Sequence, residues 1–251
     1  MAGLDAFLRS ISLVRDRVES FDGYPFSIPA IRNLETLEFH PRVTFFVGEN
    51  GSGKSTLIEG IAVAAGFNAE GGTTNFSFST RSSESALHKA MRLSRGVKRP
   101  KTGFFLRAES FFNVATQIEA LDKEPGRGPP IIGSYGGKSL HEQSHGESFM
   151  ALVNNRFGPK GVYILDEPEA ALSPQRQLAL LVAIDRLARL EGSQFVIATH
   201  SPIILAYPDS TIFSLTPEGL AKVQYEETEH FALTRDFLLN RERYMKRLFA
   251  D

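Results

Sequence analysis

Gly48-Glu49-Asn50-Gly51-Ser52-Gly53-Lys54-Ser55-Thr56 follows directly on Arg42-Val43-Thr44-Phe45-Phe46-Val47 and opens a helix-forming run, Ser55 to Ala65, with Gly66 as its stop. A short β-branched and aromatic run reads as a buried strand. Strand, glycine turn and helix in that order begin a parallel α/β unit. The stretch satisfies the pattern Gly-x-x-x-x-Gly-Lys-[Ser/Thr], and the chemistry explains its residue types. Glycines let backbone N–H groups curl around phosphates, and the helix N-terminus adds the positive end of its dipole. Lys54 is placed for the β- and γ-phosphates and the Ser55 hydroxyl for Mg²⁺. Without its flanks the stretch would be a glycine-rich turn with a solvated lysine. The strand before it and the helix after it make it a phosphate-binding loop.

Two later strands end in polar residues. Gly161-Val162-Tyr163-Ile164-Leu165-Asp166-Glu167 is an apolar run closed by two carboxylates. Asp-Glu after a strand is commonly a solvated turn or a helix cap. Beside a phosphate loop on a parallel sheet, the strand ends face the nucleotide. Asp166 then holds the Mg²⁺ shell next to Ser55, and Glu167 orients or deprotonates the attacking water. Phe195-Val196-Ile197-Ala198-Thr199-His200-Ser201-Pro202 ends a third strand in a histidine. A lone histidine there is usually structural, but at the tip of a strand in this company it is placed to sense the γ-phosphate.

Composition sets the outer limits. The chain has 251 residues, 28 basic and 29 acidic, so a net charge of −1 gives no bulk argument for nucleic acid or membrane. It contains no Cys, which excludes disulfide scaffolds, thiolate zinc sites, cysteine nucleophiles and iron–sulfur clusters. Asp5 and Arg9 interrupt the N-terminal apolar residues, and Asp185 and Arg186 interrupt the run Leu178 to Leu190. No signal-peptide core and no stretch of about 20 apolar residues is expected, and the chain reads as soluble and cytoplasmic, with no direct membrane insertion.

The pattern loosens between the first strand–loop–helix unit and the second strand. The expected organisation is one domain, 1–251. A core lobe takes about 1–66 and 149–251, and an inserted, partly helical lobe about 67–148. Within the insert, Gly71 to Ser85 reads as loop, Ala86 to Ser94 as a basic helix and Glu109 to Leu121 as another helix. Pro125 to Gly137, with three prolines and five glycines, reads as a mobile loop. Ser173 is a natural N-cap with Pro174 at the first helical position, for a helix Gln175 to Glu191 ended by Gly192. Thr211 to Leu215 and Leu220 to Tyr225 flank Thr-Pro-Glu-Gly and suggest a hairpin. His230 to Phe249 reads as one amphipathic helix with Phe231, Phe237, Leu238, Tyr244, Met245 and Leu248 on one side.

The phosphate loop, the Asp166-Glu167 strand and the His200 strand, in this order, resemble the ABC-type ATPases. A fourth element, Ser144-His145-Gly146-Glu147, lies between the loop and the Asp166 strand and resembles the signature motif of that family. His145 stands where the first glycine is usual, and Glu147 where a glutamine often sits. The resemblance implies a P-loop NTPase α/β fold: a mainly parallel sheet core, flanking antiparallel strands and an inserted partly helical lobe. It implies ATP and Mg²⁺ as cofactors, ATP hydrolysis, and head-to-tail dimerisation on ATP. In that dimer Ser144, Gly146 and Glu147 of one subunit would meet nucleotide held by Gly48 to Thr56 of the other. Lys54, Glu167 and His200 would be catalytic, and Ser55 and Asp166 would hold the metal. The family's glutamine loop has no direct match; Phe104 to Ser110 occupies its place, so Glu109 substitutes as the metal-coupled residue, with Gln117 a poorer candidate. Ala170-Ala171-Leu172-Ser173 resembles the loop that bridges subunits, ending in serine rather than the usual aspartate. Tyr24 or Phe26 would stack on adenine, although core packing explains either equally well.

The wording of the motifs separates two branches of the family. Glu49-Asn50, Ser-x-Gly-Glu, Glu169-Ala170-Ala171-Leu172-Ser173 and His200-Ser201-Pro202 look more like the RecF and SMC branch of DNA-repair and phage-defence ATPases. The alternative is the ATP-binding subunit of an ABC transporter with a separate membrane protein. Between Ser85 and Lys101 lie Lys89, Arg92, Arg95, Lys98, Arg99 and Lys101 with no acidic residue. This basic segment fits DNA phosphates, an acidic partner protein, or simply a solvated helix face.

Overall fold

A computed structural model describes residues 6–73, 85–107, 133 and 144–250. In chain order its strands are β1 (Leu8–Leu13), β2 (Thr36–Glu38), β3 (Val43–Val47), β4 (Met91–Arg95), β5 (Thr102–Arg107), β6 (Gly161–Asp166), β7 (Gln194–Ala198), β8 (Ser210–Thr216) and β9 (Gly219–Val223). Its helices are α1 (Pro29–Arg32), α2 (Lys54–Ala65), α3 (Leu87–Ala90), α4 (His145–Arg156), α5 (Pro174–Asp185), α6 (Pro202–Leu205), α7 (Glu229–Leu239) and α8 (Arg241–Leu248). Six strands form one sheet in the order β5-β6-β7-β3-β8-β9. All pairings in it are parallel except β8 with β9, whose hairpin lies where the Thr-Pro-Glu-Gly turn predicts it. A second, antiparallel sheet has the order β2-β1-β4. The mixed α/β architecture, with a mainly parallel core and flanking antiparallel strands, is the one expected from the sequence.

Every residue of β3, β6 and β7 is buried, which is why these strands read as unbroken apolar runs rather than alternating ones. Successive side chains feed two cores. Val43, Phe45 and Val47 pack with Tyr163, Phe195 and the inner faces of α4 and α5. Phe46 packs on the other side with Leu57, Ile58 and Ile61 of α2 and with Ile11 and Met91 of the antiparallel sheet. Gly66, at φ +101, closes α2 as expected.

Three expectations need correction. Ala86 to Ser94 is not a helix: after the single turn of α3 the chain runs as β4. Met91 is buried, Arg92 exposed and Leu93 half-buried, a period of two, and the strand pairs with β1 from Leu13↔Met91 to Leu8↔Arg95. Pairing with a distant strand overrides the local helix formers. Second, the helix after Ser173 is α-helical only to Asp185; Arg186–Leu190 form a π turn ended by Gly192 at φ +66. Third, the C-terminal helix breaks at Asn240, whose side chain donates to the Asp236 carboxylate (2.7 Å) while the Tyr244 hydroxyl donates to the same group (2.7 Å). The expected face is split: Phe231, Phe237, Tyr244 and Met245 are half-buried, but Leu238 and Leu248 are exposed. The strands β4 and β5, which belong to the sheets just described, both come from the stretch 67–148 expected as an inserted lobe. The expected helix Glu109 to Leu121 lies outside the described residues, as does the loop Pro125 to Gly137 apart from Gly133. The expected loop Gly71 to Ser85 is described only at its two ends.

Candidate functional site

Parallel register brings the three motifs to one edge of the sheet. Phe46 of β3 pairs with Ala198 of β7, and Ala198 pairs with Asp166 of β6. The turns after all three strands therefore emerge at the same level. Thr199 N donates to Phe46 O (3.1 Å) and Glu167 N to Ala198 O (2.9 Å), which carries the pairing one residue beyond the strands. A crevice beyond the carboxyl ends of parallel strands is the usual ligand position in such sheets.

The loop from Gly48 to Gly53 has the curl that phosphate binding requires. Gly53 precedes α2 at φ +97, and a Cβ there would stand 2.6 Å from Ile28 Cγ2. A Cβ on Gly48 would meet Leu215 O and Ser52 Oγ at 2.9 Å. Lys54 is 4% exposed and its ammonium donates to Gly48 O and Glu49 O, each at 2.9 Å. Burial lowers the Lys54 pKa, opposed by the Glu167, Asp166 and Glu169 carboxylates around it. Ser52 Oγ is buried and, among the described residues, has no hydrogen-bond partner. An orphaned hydroxyl within a curl of N–H groups fits a phosphate oxygen.

Ser55 Oγ donates to Asp166 Oδ1 at 3.3 Å, so hydroxyl and carboxylate converge where the sequence places a metal. One hydroxyl and one carboxylate, completed by phosphates and water, suit Mg²⁺, which seldom occupies an all-protein cage. Among the described residues there is no cluster of three or more His, Asp or Glu able to hold a metal by itself. Glu109, the other expected metal residue, lies outside the described residues, as does Gln117.

Glu167 stands at φ +51, a left-handed conformation that is uncommon for a non-glycine residue. Its Oε1 is 3.2 Å from His200 Nε2. The carboxylate expected to handle water and the expected sensing histidine are thus in direct contact. Strain held at such a residue costs on the order of 1–3 kcal/mol and is characteristic of functional positions.

The signature candidate is built separately. Ser144 is the N-cap of α4, and the Glu147 carboxylate accepts both its N–H (3.0 Å) and its hydroxyl (2.6 Å). Arg176, in the first turn of α5, donates to Ser144 Oγ (3.3 Å) and lies 3.4 Å from Glu147 Oε1. Gly146 sits under this guanidinium; a Cβ there would come within 2.4 Å of Arg176 Nη1. The structure therefore brings together Gly48 to Thr56, Asp166, Glu167 and His200. It ties Ser144, Gly146 and Glu147 to α5. Of the two aromatic candidates, Tyr24 is 69% exposed and its hydroxyl lies 3.1 Å from Thr56 Oγ1, whereas Phe26 packs edge-on against Phe21. Tyr24 has the free ring beside the loop.

Four residues around the candidate site have no role in the motif reading. Glu169 accepts from Thr199 Oγ1 (2.7 Å) and from His200 N, so it clamps the turn after β6 to the turn after β7. Arg107 ends β5 opposite Asp166 in the register, 3.6 Å from Asp166 Oδ2 and 2.8 Å from Glu59 Oε2. Arg176 caps the signature segment. His230, from a helix 30 residues later, reaches His200. The only available hint was local: Arg107 sits inside the quoted run Phe104 to Ser110, and Glu169 follows Glu167-Pro168.

Two solved structures share the fold over most of the chain. The first is a metal-chelate-type ABC transporter in an inward-facing conformation (TM-score 0.52, 14% identity, 92% of this chain and 88% of that one). The second is cbiO1 from Clostridium perfringens, part of an ABC transporter complex (TM-score 0.50, 18% identity, 95% and 97%). The fold is that of an ABC-type P-loop ATPase. An SMC head domain from Thermotoga maritima superposes less closely on this ABC-type fold (TM-score 0.45, 17% identity, 86% and 98%). Two family profiles match parts of the chain: one described as an AAA domain over residues 18–121, and one described as an AAA domain, AbiEii toxin, type IV toxin–antitoxin system, over 153–206. A Geobacter sulfurreducens protein described as an ABC transporter ATP-binding protein is 29% identical over 103 residues, which is 41% of this chain. The match spans only 34% of that relative. Among the described residues, no helix is long and apolar enough to cross a membrane.

Proposed function

We propose that the protein binds ATP with Mg²⁺ and hydrolyses it as an ATP-dependent head-to-tail dimer. The observation that carries this reading is the contact of Glu167 with His200 at the mouth of a phosphate loop whose Ser55 already meets Asp166. Gly48 to Thr56 cradle the phosphates, with Lys54 turning from the loop carbonyls to the β- and γ-oxygens. Ser55 and Asp166 hold Mg²⁺, which when bound neutralises developing phosphate charge. Glu167 takes a proton from the attacking water, and His200 donates to the γ-phosphate. Ser144 and Gly146 at the N-terminus of α4 face the nucleotide of a second subunit, where N–H groups and the helix dipole favour an anion. Formation of that contact exchanges the Ser144 hydroxyl from Glu147 to a phosphate oxygen. Tyr24 stacks on adenine. Glu109 completes the metal shell.

The proposed output is DNA maintenance or phage defence, read from the motif wording and supported by the toxin–antitoxin description of the profile over 153–206. The basic segment Lys89 to Lys101 is the candidate DNA or protein contact, its six cationic side chains all exposed. A transporter subunit is the second reading, favoured by the name of the Geobacter sulfurreducens relative. Size-exclusion chromatography of Glu167→Gln tests the first: ATP and Mg²⁺ should convert it to a long-lived dimer that releases phosphate very slowly. A variant that stays monomeric with bound ATP would remove the dimer. DNA-stimulated phosphate release favours the maintenance reading, and co-purification with a membrane protein the transporter one.

A further inference from the structure

His200 is held from both sides. Its Nε2 is 3.2 Å from Glu167 Oε1, and its Nδ1 is 2.8 Å from Nε2 of His230, the second residue of α7. The two imidazole rings meet nearly edge-on, with centroids 4.9 Å apart at 62°. His230 is placed by Thr228, the 3%-exposed N-cap of α7, whose hydroxyl donates to Tyr225 O at 2.7 Å.

Counting hydrogens fixes the roles. A carboxylate only accepts, so the hydrogen between His200 and Glu167 sits on His200 Nε2. A neutral His200 is then bare at Nδ1, and only an N–H can complete the contact there. His230 Nε2 supplies it. Burial lowers the His230 pKa, with His200 and Lys54 adding to it against Glu229 and Glu49.

We infer that His230 is a positioning residue: by donating to Nδ1 it acts with Glu167 to lock His200 in the tautomer with hydrogen on Nε2, the atom that faces Glu167 and, on ATP binding, the γ-phosphate. This inference rests on the hydrolase reading for its kinetic consequence, but not for the tautomer itself. A hydrogen bond to one ring nitrogen sets which of the two carries the proton. It also links the nucleotide site to α7, a helix with no fully buried residue of its own.

The test uses the full chain with His230→Ala and His230→Gln. Gln restores an N–H near the position of Nε2, whereas Ala removes it. Phosphate release should fall about 10- to 100-fold in kcat for His230→Ala with KM nearly unchanged, and His230→Gln should recover most of it. In parallel, ring ¹⁵N shifts of His200 should report the Nε2–H tautomer in the wild type and in His230→Gln, and a tautomer mixture in His230→Ala. An unchanged His200 tautomer in His230→Ala overturns the inference, as does an equal kcat loss in both variants. A wild type that binds ATP and releases no phosphate refutes the hydrolase reading instead, and the ¹⁵N spectra then decide the inference alone.

Discussion

Replacing Arg107 with Met isolates the electrostatics of the metal site from its ligands. Arg107 is 18% exposed and faces two carboxylates, Glu59 at 13% and Asp166 at 7% side-chain exposure. Met keeps most of the buried stem and removes the charge. Breaking a buried pair by deleting one partner costs about 3–5 kcal/mol, because the other charge stays behind. Here Glu59 retains the Ser85 N–H (3.1 Å) and Asp166 retains the Ser55 hydroxyl (3.3 Å), and the Arg107–Asp166 approach at 3.6 Å is the looser of the pair. The expected loss is therefore at the lower end, about 3 kcal/mol. Urea unfolding followed by circular dichroism measures it from the shift in midpoint at unchanged slope. Loss of the guanidinium also leaves the Asp166 end of the site more negative, so saturating Mg²⁺ with ATP should raise the variant's midpoint more than the wild type's. A loss under about 0.5 kcal/mol, the size of an exposed pair, would refute the argument that these charges are desolvated. Equal stabilisation of both proteins by Mg²⁺ and ATP would refute the placement of the metal at Asp166.

Lys54→Ala should weaken ATP binding at least about 100-fold, since charge-assisted contacts to phosphate are worth about 1.5–3 kcal/mol each; titration with a fluorescent ATP analogue checks it. Tyr163→Phe should cost about 1–2 kcal/mol in denaturant unfolding, because the Tyr163 hydroxyl both donates to Gly158 O (2.8 Å) and accepts from Gly158 N (2.6 Å). His40 Nδ1 accepts from Arg42 N and Val43 N, each at 3.2 Å, and burial lowers the His40 pKa against the pull of Asp209. The unfolded chain then binds a proton first, so stability should fall as pH drops below about 6.5. In His40→Asn, whose side-chain oxygen can accept the same two N–H groups, that acid-side slope should flatten; an unchanged slope would clear His40 of the effect.

The sequence was most legible where one strand and one turn carry the whole message. Val43 to Val47, Gly161 to Asp166 and Gln194 to Ala198 are strands where apolar runs place them, because parallel strands buried on both faces are apolar throughout. Their polar ends are then conspicuous. Ala86 to Ser94 misled because its helix formers are local while its pairing with β1 depends on residues about 80 positions away. Arg107 and Arg176 were invisible for a related reason. A charged residue in a strand end or a first helical turn is ordinary until the tertiary fold puts an opposite charge beside it. His230 gave no signal at all, being one polar residue in a stretch whose amphipathic pattern explained it fully. The break at Asn240 was missed because Asn tolerates a helix interior, and only the Asp236 corner with Tyr244 shows that it does not continue one.

The strand β5 has one more consequence. Its six residues run from Thr102, just after the basic stretch, to Arg107, beside the Asp166 carboxylate. At about 3.3 Å per residue that is a rod of about 20 Å. It lies at the rim of the six-stranded sheet, hydrogen-bonded to β6 along its whole length. On its outer side Phe105 exchanges two backbone hydrogen bonds with Gly72, at 2.8 and 2.9 Å. The strand is thereby gripped from both sides, and the register that sets Arg107 opposite Asp166 also fixes how far the exposed basic stretch stands from that carboxylate.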